Sequence, residues 1–272
     1  MIRGSVSMIL GGVITVLVAG AALVSRLWTP ADPTAMNIMA RLQEPGGAHW
    51  FGTDQIGRDV LSIIMAGAWT SLGIAVVATA IGGAFGTLLG VTAAARGGRA
   101  ERMVMSLNGV LFAFPPILSA ILLGALLGPG AVTAITAIGV FMVPVFARIS
   151  RAAAIQIWAR DYIAAARMAG KTDARITVEH VLPNILAQII VQLAIQTGLA
   201  MLSEAGLSFL GMGVSPPAPS WGRMLSESQT YLAAAPHLVL APGLAIAVTV
   251  LGLNLLGDGL RDLTDPRRGQ AG

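Results

Sequence analysis

The sequence has no cysteine, few charged residues and only three histidines. The missing cysteine excludes disulfides, cysteine nucleophiles, iron–sulfur clusters and cysteine-based zinc sites. Only 11% of the 272 residues are charged, whereas soluble domains have about one quarter. An ordinary water-soluble globule and a disordered chain are therefore excluded. The histidines, His49, His180 and His237, lie far apart in sequence, so we expect no metal site.

Long charge-free stretches predict membrane helices. An apolar helix needs about 20 residues to cross roughly 30 Å of hydrocarbon, and backbone polar groups in lipid must be satisfied within the helix. We predict an all-α polytopic membrane protein, a single transmembrane domain over residues 1–272. Its first helix covers about residues 4–27 and its core residues 69–268. The six expected spans cover about residues 4–27, 69–95, 103–127, 131–147, 181–203 and 236–257.

Glycine and proline mark interruptions and contacts within these spans. Gly128, Pro129 and Gly130 divide one long charge-free run at a tight turn. Pro115 and Pro116 predict a kink in the third span, which could be a hinge or a fixed bend. In the second span, glycines recur at every fourth position, a spacing that favours close helix packing over ligand binding. These glycines are Gly82, Gly86 and Gly90.

The distribution of lysine and arginine predicts the orientation. With a cytoplasmic N-terminus, thirteen of the 17 Lys and Arg residues lie inside, as the positive-inside rule requires. Both termini and the loop 148–183 are then cytoplasmic, and the loop 204–235 is outside. The alternative for the first run is a cleaved signal peptide, but its length favours a retained helix. The high pI is interpreted as a topology signal, and no nucleic-acid partner is expected.

The loop 148–183 allows two interpretations, a solvated connector or a surface that binds another protein. Its alanine-rich centre favours a helix that ends at Gly170, and Pro183 limits the helix after it. The residues Gly170, Lys171 and Thr172 match the end of a phosphate-binding loop. However, that motif requires glycine where Ala165 stands, after a strand. We therefore expect any ATP to be held by a partner.

The same loop resembles the cytoplasmic signature of importer permeases of the ATP-binding-cassette (ABC) class. The matching residues are Ala165, Ala166, Gly170, Leu182 and Pro183. Two positions depart from the signature: Ala164 replaces its glutamate, and His180 replaces its isoleucine. Residues 49–62, 207–222 and 254–267 resemble segments of dipeptide, oligopeptide and nickel permeases. Together these stretches resemble the "C"-type permease subunit of a dipeptide importer.

This resemblance implies the fold of a type I ABC importer permease and a function in uptake across a bacterial cytoplasmic membrane. Dipeptides or short oligopeptides are the expected cargo, with nickel or another small solute as the alternative. The implied partners are membrane lipid, a different second permease, two ATPase subunits that hold ATP and Mg²⁺, and an extracytoplasmic solute-binding protein. The chain itself would have no catalytic residues and no cofactor. The implied coupling residues are Ala164, Ala165, Ala166, Gly170, Asp173, Arg175 and Pro183.

A stand-alone channel or secondary transporter is the rival class. Ion-coupled transport usually needs ionisable groups or broken helices in the membrane. The six charge-free runs, of which the first ends at Ser25, contain no Asp, Glu, Lys or Arg. In the fifth span, Gln188, Gln192 and Gln196 share one helix face. They could line the translocation path, or they could make interhelical hydrogen bonds worth about 0.6 kcal/mol each. The proline-rich outer loop could receive the binding protein, close the pore or form a structural hairpin.

Overall fold

The computed structural model describes residues 2–264, and most of that range is helical. Within this part of the chain, β structure is limited to one bridge between Thr53 and Asp59. The C-terminal part of the 254–267 segment, beginning at Asp265, lies outside the described residues, as do Arg267 and Arg268 of the charge count. The ten α-helices are α1 (Ile2–Val24), α2 (Val60–Arg96), α3 (Gly98–Ala113), α4 (Pro116–Leu127), α5 (Ala131–Trp158), α6 (Asp161–Met168), α7 (Asp173–Ile176), α8 (Leu182–Phe209), α9 (Trp221–Ser228) and α10 (His237–Thr264).

Five helical stretches are long and apolar enough to cross a membrane. They are α1, α2, α5, the continuous helical path of α7 and α8, and α10. The pair α3 and α4 covers the third predicted span, residues 103–127, but the two helices meet at an angle of 86°. Phe114 and Pro115 adopt extended backbone conformations at this junction, as expected for residues that precede a proline. The predicted kink is therefore a break between two helices.

Several helices extend beyond the charge-free runs. Helix α2 starts at Val60, well before the expected start at Trp69, because Asp59 caps it by accepting a hydrogen bond from the Ser62 backbone N–H. Helix α5 continues to Trp158, so the first residues of the predicted loop 148–183 are helical. Helix α8 likewise includes the first residues of the predicted loop 204–235. Charged residues mark where hydrocarbon ends, whereas a helix of 37 residues spans about 55 Å and continues into the surroundings.

The glycine ridge of α2 packs against α5 in the same chain. A Cβ atom on Gly86 would lie 2.7 Å from the Cβ of Phe146, and one on Gly82 would lie 2.5 Å from the Gly139 carbonyl oxygen. Such distances are far below van der Waals contact, so only glycine permits this approach of the two backbones. The predicted packing role of this ridge is confirmed.

Glycines also join α1 to α10. A Cβ on Gly252 would lie 2.9 Å from the Cβ of Ile14, and one on Gly259 would lie 2.5 Å from the Cβ of Met8. Helix α8 contacts α2, α5 and α10 and contributes buried Ile185 and Met201 to the core. The helices therefore form a bundle in which α2, α5 and α8 are central and α1 lies on the outer side of α10.

Candidate coupling elbow, glutamine face and outer cap

Residues 159–183, the elbow, connect α5 to α8 through the short helices α6 and α7. Helix α6 ends in a Schellman motif: the Lys171 N–H donates to the Ala166 carbonyl (3.2 Å) and the Gly170 N–H to the Arg167 carbonyl (2.9 Å). Gly170 has φ +81°, a left-handed conformation that glycine adopts without steric cost. The Thr172 side chain then caps α7. The predicted helix stop at Gly170 is confirmed.

One side of the elbow is anchored in the protein core and the other is exposed. Ile163, Ile176 and Val181 are fully buried among the core residues. On the opposite side, the Met168 side chain is 86% exposed. This arrangement fixes the elbow to the long helices while it presents an apolar side chain to the surroundings.

Charged side chains link the parts of the elbow to one another. Lys171 Nζ donates to Glu179 Oε2 at 2.5 Å, and Arg175 Nε donates to Glu179 Oε1 at 2.6 Å. Arg167 Nε lies 3.2 Å from Asp173 Oδ1, which joins α6 to α7. Exposed ion pairs of this kind contribute only about 0–1 kcal/mol each. Their main effect is to restrain the relative positions of α6, α7 and the turn that connects α7 to α8.

The sequence predicted that Pro183 limits the helix, but the structure places it in the first turn of α8. A π-helical turn, Thr177–Val181, precedes it, and the Leu182 N–H donates to the Thr177 carbonyl across this wider turn. Because proline has no N–H to donate, a wider turn lets the helix pass the proline without a break. The helical path from α7 into α8 is therefore continuous, and the elbow is joined directly to a membrane-crossing helix.

The structure brings the predicted coupling residues together in the elbow, with one difference in orientation. Ala166 faces the core and is buried, whereas six of these residues are exposed. The exposed ones are Ala164, Ala165, Gly170, Asp173, Arg175 and Pro183.

The three glutamines of α8 lie on one face but differ in exposure. Gln188 is exposed, Gln192 is half-buried and Gln196 is only 7% exposed. On neighbouring faces, Leu193 lies against Gly83 of α2 and Ile195 lies against Gly257 of α10. Helical geometry therefore directs the glutamine face between α2 and α10. The face is accessible at the end near the elbow and closed near the middle of the bundle.

Helix α9 and the segment before it, residues 215–228, form a cap on the end of the bundle opposite the elbow. Trp221 is 2% exposed, and its Nε1–H donates to the Ile64 carbonyl of α2 at 2.9 Å. Its backbone N–H donates to Ser71 Oγ at 3.2 Å. A Cβ on Gly222 would lie 2.7 Å from the Cα of Ala205 in α8. The cap is thus packed closely onto both α2 and α8.

The 49–62 segment connects this cap to the start of α2. Arg58 Nε donates to Asp54 Oδ2 at 2.6 Å, and a terminal nitrogen of Arg58 lies 3.3 Å from Glu227 Oε2 in α9. Arg223 Nε donates to the other oxygen of Glu227 at 2.6 Å. Asp59 accepts hydrogen bonds from both the N–H and the hydroxyl of Ser62. The segment's polar residues therefore cap α2 and hold α9 in place.

Sequence reasoning missed Glu204, which was expected to start the outer loop. The residue lies in α8, its side chain is fully buried, and its Oε1 accepts a hydrogen bond from Ser208 Oγ at 2.6 Å. Its other carboxylate oxygen, Oε2, is buried without a hydrogen-bond partner among the described residues. Among the described residues, no Lys, Arg or His nitrogen lies within 4 Å of it. Glu204 directly follows a charge-free run, and a charged residue in that position predicts the end of a membrane span rather than a buried side chain.

Comparison with known proteins identifies this arrangement of helices. The model of the family described as "Binding-protein-dependent transport system inner membrane component" matches residues 86–270. The chain belongs to this family. It is therefore a permease, a membrane component of an ABC importer that carries out transport rather than catalysis. The resemblance stated from the sequence is confirmed.

The relatives of this permease include proteins with peptide-related names. The glutathione transport system permease protein GsiD of Pectobacterium atrosepticum is 39% identical over 94% of this chain and 85% of the relative. The dipeptide transport system permease protein DppC of Alkalihalophilus pseudofirmus is 42% identical, over 90% of this chain and 81% of the relative. A putative peptide transport system permease protein of Brucella suis is 41% identical, over 95% and 87% respectively.

A solved structure supports the fold of the permease. The MetNI methionine ABC transporter in an inward-facing conformation has a chain that superposes with a TM-score of 0.61. The match covers 75% of this chain and 97% of that one, at 21% sequence identity. The predicted fold class, a polytopic helical protein of the type I importer kind, is thereby confirmed.

Proposed function

We propose that this permease takes up dipeptides or short oligopeptides and converts the motion of ATPase subunits into opening and closing of a pore. The anchored elbow is the observation that carries the coupling role. It is held by buried Ile163, Ile176 and Val181 and exposes Met168 to the surroundings. The cargo proposal is supported by the names of relatives that are about 40% identical over most of the chain.

The elbow acts as a lever because it is continuous with two long helices. Helix α5 ends two residues before α6, and α7 continues without a break into α8. A force on α6 therefore displaces α5 and α8 together. Because α2 contacts α5 backbone to backbone at the glycine ridge, α2 moves with them. In this mechanism ATP and Mg²⁺ bind to two partner ATPase subunits, and this chain contributes no catalytic group.

The proposed orientation places the elbow and both termini in the cytoplasm and the α9 cap outside. A solute-binding protein then delivers cargo at the cap, and a second, different permease completes the pore. We propose that the glutamine face contacts peptide backbone groups, because amide side chains donate and accept hydrogen bonds without a charge that would trap the cargo. Gln188 and Gln192 are the exposed and half-exposed members of this face.

A cross-linking experiment tests the coupling role. The chain has no cysteine, so a single Met168→Cys variant gives one reactive position in the elbow. In the assembled importer we expect this position to cross-link to an ATPase subunit. Met39→Cys is a matched control, since Met39 is 93% exposed but precedes α2 on the side of the cap. The proposal would be contradicted if the Met168→Cys importer transports its cargo but its cysteine forms no cross-link to an ATPase subunit.

Uptake measurements test the cargo. The complete importer in liposomes, with its solute-binding protein and internal ATP, is expected to accumulate a labelled dipeptide and to be inhibited by unlabelled short peptides. Accumulation of nickel without peptide competition would replace the peptide assignment and leave the coupling role intact. Dipeptide uptake by this chain alone, without ATP or partners, would instead support a stand-alone transporter.

A further inference from the structure

An apolar groove of about 650 Å³ lies between α1, α2 and α10, near their ends on the side of the cap. This volume is within the range of small-molecule pockets, roughly 300–1,000 Å³. Its walls include Val18, Met65, Ala68, Leu244 and Ala245. The segment that contains Trp50 and Phe51 covers the end away from the elbow. Neither the coupling lever nor the glutamine face uses this groove.

One polar side chain lines the groove and one cation lies beside its α2 wall, over Trp69, which follows the groove residue Ala68. His237 lines the groove, and the Nε2 atom of that side chain is buried without a hydrogen-bond partner in the described part of the chain. Arg26 follows α1 by two residues, and its guanidinium lies 5.5 Å from the ring centroid of Trp69. Within residues 2–264, no carboxylate oxygen lies within 4 Å of the Arg26 guanidinium. An unneutralised cation therefore stands beside an apolar cavity.

We propose that the groove binds an acyl chain of an anionic phospholipid whose phosphate contacts Arg26. The walls are formed mainly by apolar side chains of three membrane-crossing helices, and an apolar cavity of this kind does not hold water. If the groove were empty, the side chains of its walls would lose van der Waals contacts on that side. The α10 side, from His237 to Val248, is about 16 Å long at 1.5 Å per residue. An elongated slot of that length fits a flexible chain better than a compact solute.

The positive charge of Arg26 favours a lipid with an anionic headgroup. Arg26 supplies the positive charge that an anionic lipid phosphate neutralises, and Trp69, over which it lies, is a residue type typical of the membrane interface. One arginine near a membrane surface favours anionic lipid by about fivefold. This proposal depends on the membrane position of the helices and is independent of the cargo.

Photolabelling of the complete importer tests the site. The importer is placed in bilayers that contain a trace of phosphatidylglycerol with a diazirine in its acyl chain, and labelled residues are mapped by mass spectrometry. We expect label to concentrate on groove residues such as Met65 and Leu244, about fivefold above a phosphatidylcholine probe of the same chain. Ala245→Trp fills the groove and is expected to reduce this label about tenfold. Val76→Trp, on an exposed part of α2, is the control and should leave it unchanged.

The Arg26→Gln variant separates the headgroup from the chain. Arg26 is exposed, so its replacement is compatible with folding, and we expect groove labelling to persist while the preference for phosphatidylglycerol disappears. Label spread evenly over exposed helix faces would overturn the proposal. So would labelling that Ala245→Trp leaves unchanged in correctly assembled importer. Cross-links from Leu244→Cys to the other permease, with no lipid label, would show that protein covers the groove and would also overturn it.

Discussion

Replacement of Gly170 tests whether the elbow transmits motion. Gly170 has φ +81°, and a Cβ atom built there meets no other atom within 4 Å. A side chain at this position therefore causes no collision, and its whole cost is backbone strain. Gly128, in the turn between α4 and α5, provides an unusually close control because its φ is +80° and its surroundings are equally open.

The magnitude follows from the backbone geometry. A left-handed conformation costs an L-residue about 1–2 kcal/mol, and valine, which is β-branched, lies at the upper end. This cost shifts the balance between the native elbow and other local conformations about 5- to 30-fold. Asparagine tolerates the left-handed region better. We therefore expect Gly170→Val to reduce the number of peptides transported per ATP hydrolysed about 5- to 30-fold, with Gly170→Asn between it and the wild type.

The assay measures uptake and ATP hydrolysis together in liposomes that contain the complete importer. The importer with Gly170→Val should continue to hydrolyse ATP while its peptide uptake falls. The backbone strain disturbs the connection of α6 to the long helices but leaves the ATPase sites on the partner subunits unchanged. Gly128→Val should carry the same strain and keep normal coupling. Equal coupling loss at Gly128, or wild-type coupling in Gly170→Val, would show that the elbow is not the transmitting element.

Three further outcomes are expected. Gly86→Leu should destabilise the permease by at least about 1–3 kcal/mol, because the new side chain overpacks against Phe146. Gly73→Leu is the control and should not destabilise it, because its new Cβ meets no atom within 4 Å. Thermal unfolding in detergent measures both effects. Glu204→Gln keeps the shape and the hydrogen bond of this buried group and should assemble normally, whereas Glu204→Leu should lower the midpoint of unfolding because Ser208 loses its acceptor. Gln192→Leu should reduce peptide uptake in normally assembled importer; unchanged uptake would assign the glutamine face to packing.

Most of the long apolar helices could be predicted because a single physical rule locates them. Charges are excluded from hydrocarbon, so charge-free runs locate the helices, and residues such as Gly170 mark helix ends through their own backbone preferences. The 86° break between α3 and α4 is different. Pro115 and Pro116 predict a bend but not its angle. The structure shows contacts that hold α3 against α5: Arg151 Nε donates to Glu101 Oε1 at 2.6 Å, and the Arg148 guanidinium lies 4.7 Å from the Phe112 ring centroid.

The interior of the candidate site depended on contacts between residues distant in sequence. Glu204 is followed by more apolar residues, but its burial depends on the packing of α8 against α9 and against α2, which lies more than a hundred residues earlier. The spacing of Gly86 and its neighbours predicted a packing ridge, whereas the identity of the opposing helix required the fold. In both cases local chemistry indicated the type of interaction, and only tertiary structure determined the partner.

Contacts between elements join the elbow, the long helices α2, α5 and α8, and the cap into one connected unit. The elbow continues into α8, α5 packs on α2 through glycines, and α2 holds the cap through Trp221. The pair Arg58 and Glu227 adds a second connection between the start of α2 and α9. In the proposed mechanism, these contacts carry a displacement at the elbow to the opposite end of the bundle. Helices α3 and α4 meet at their 86° break, and α3 is joined to this unit through α5 by the Arg151–Glu101 pair.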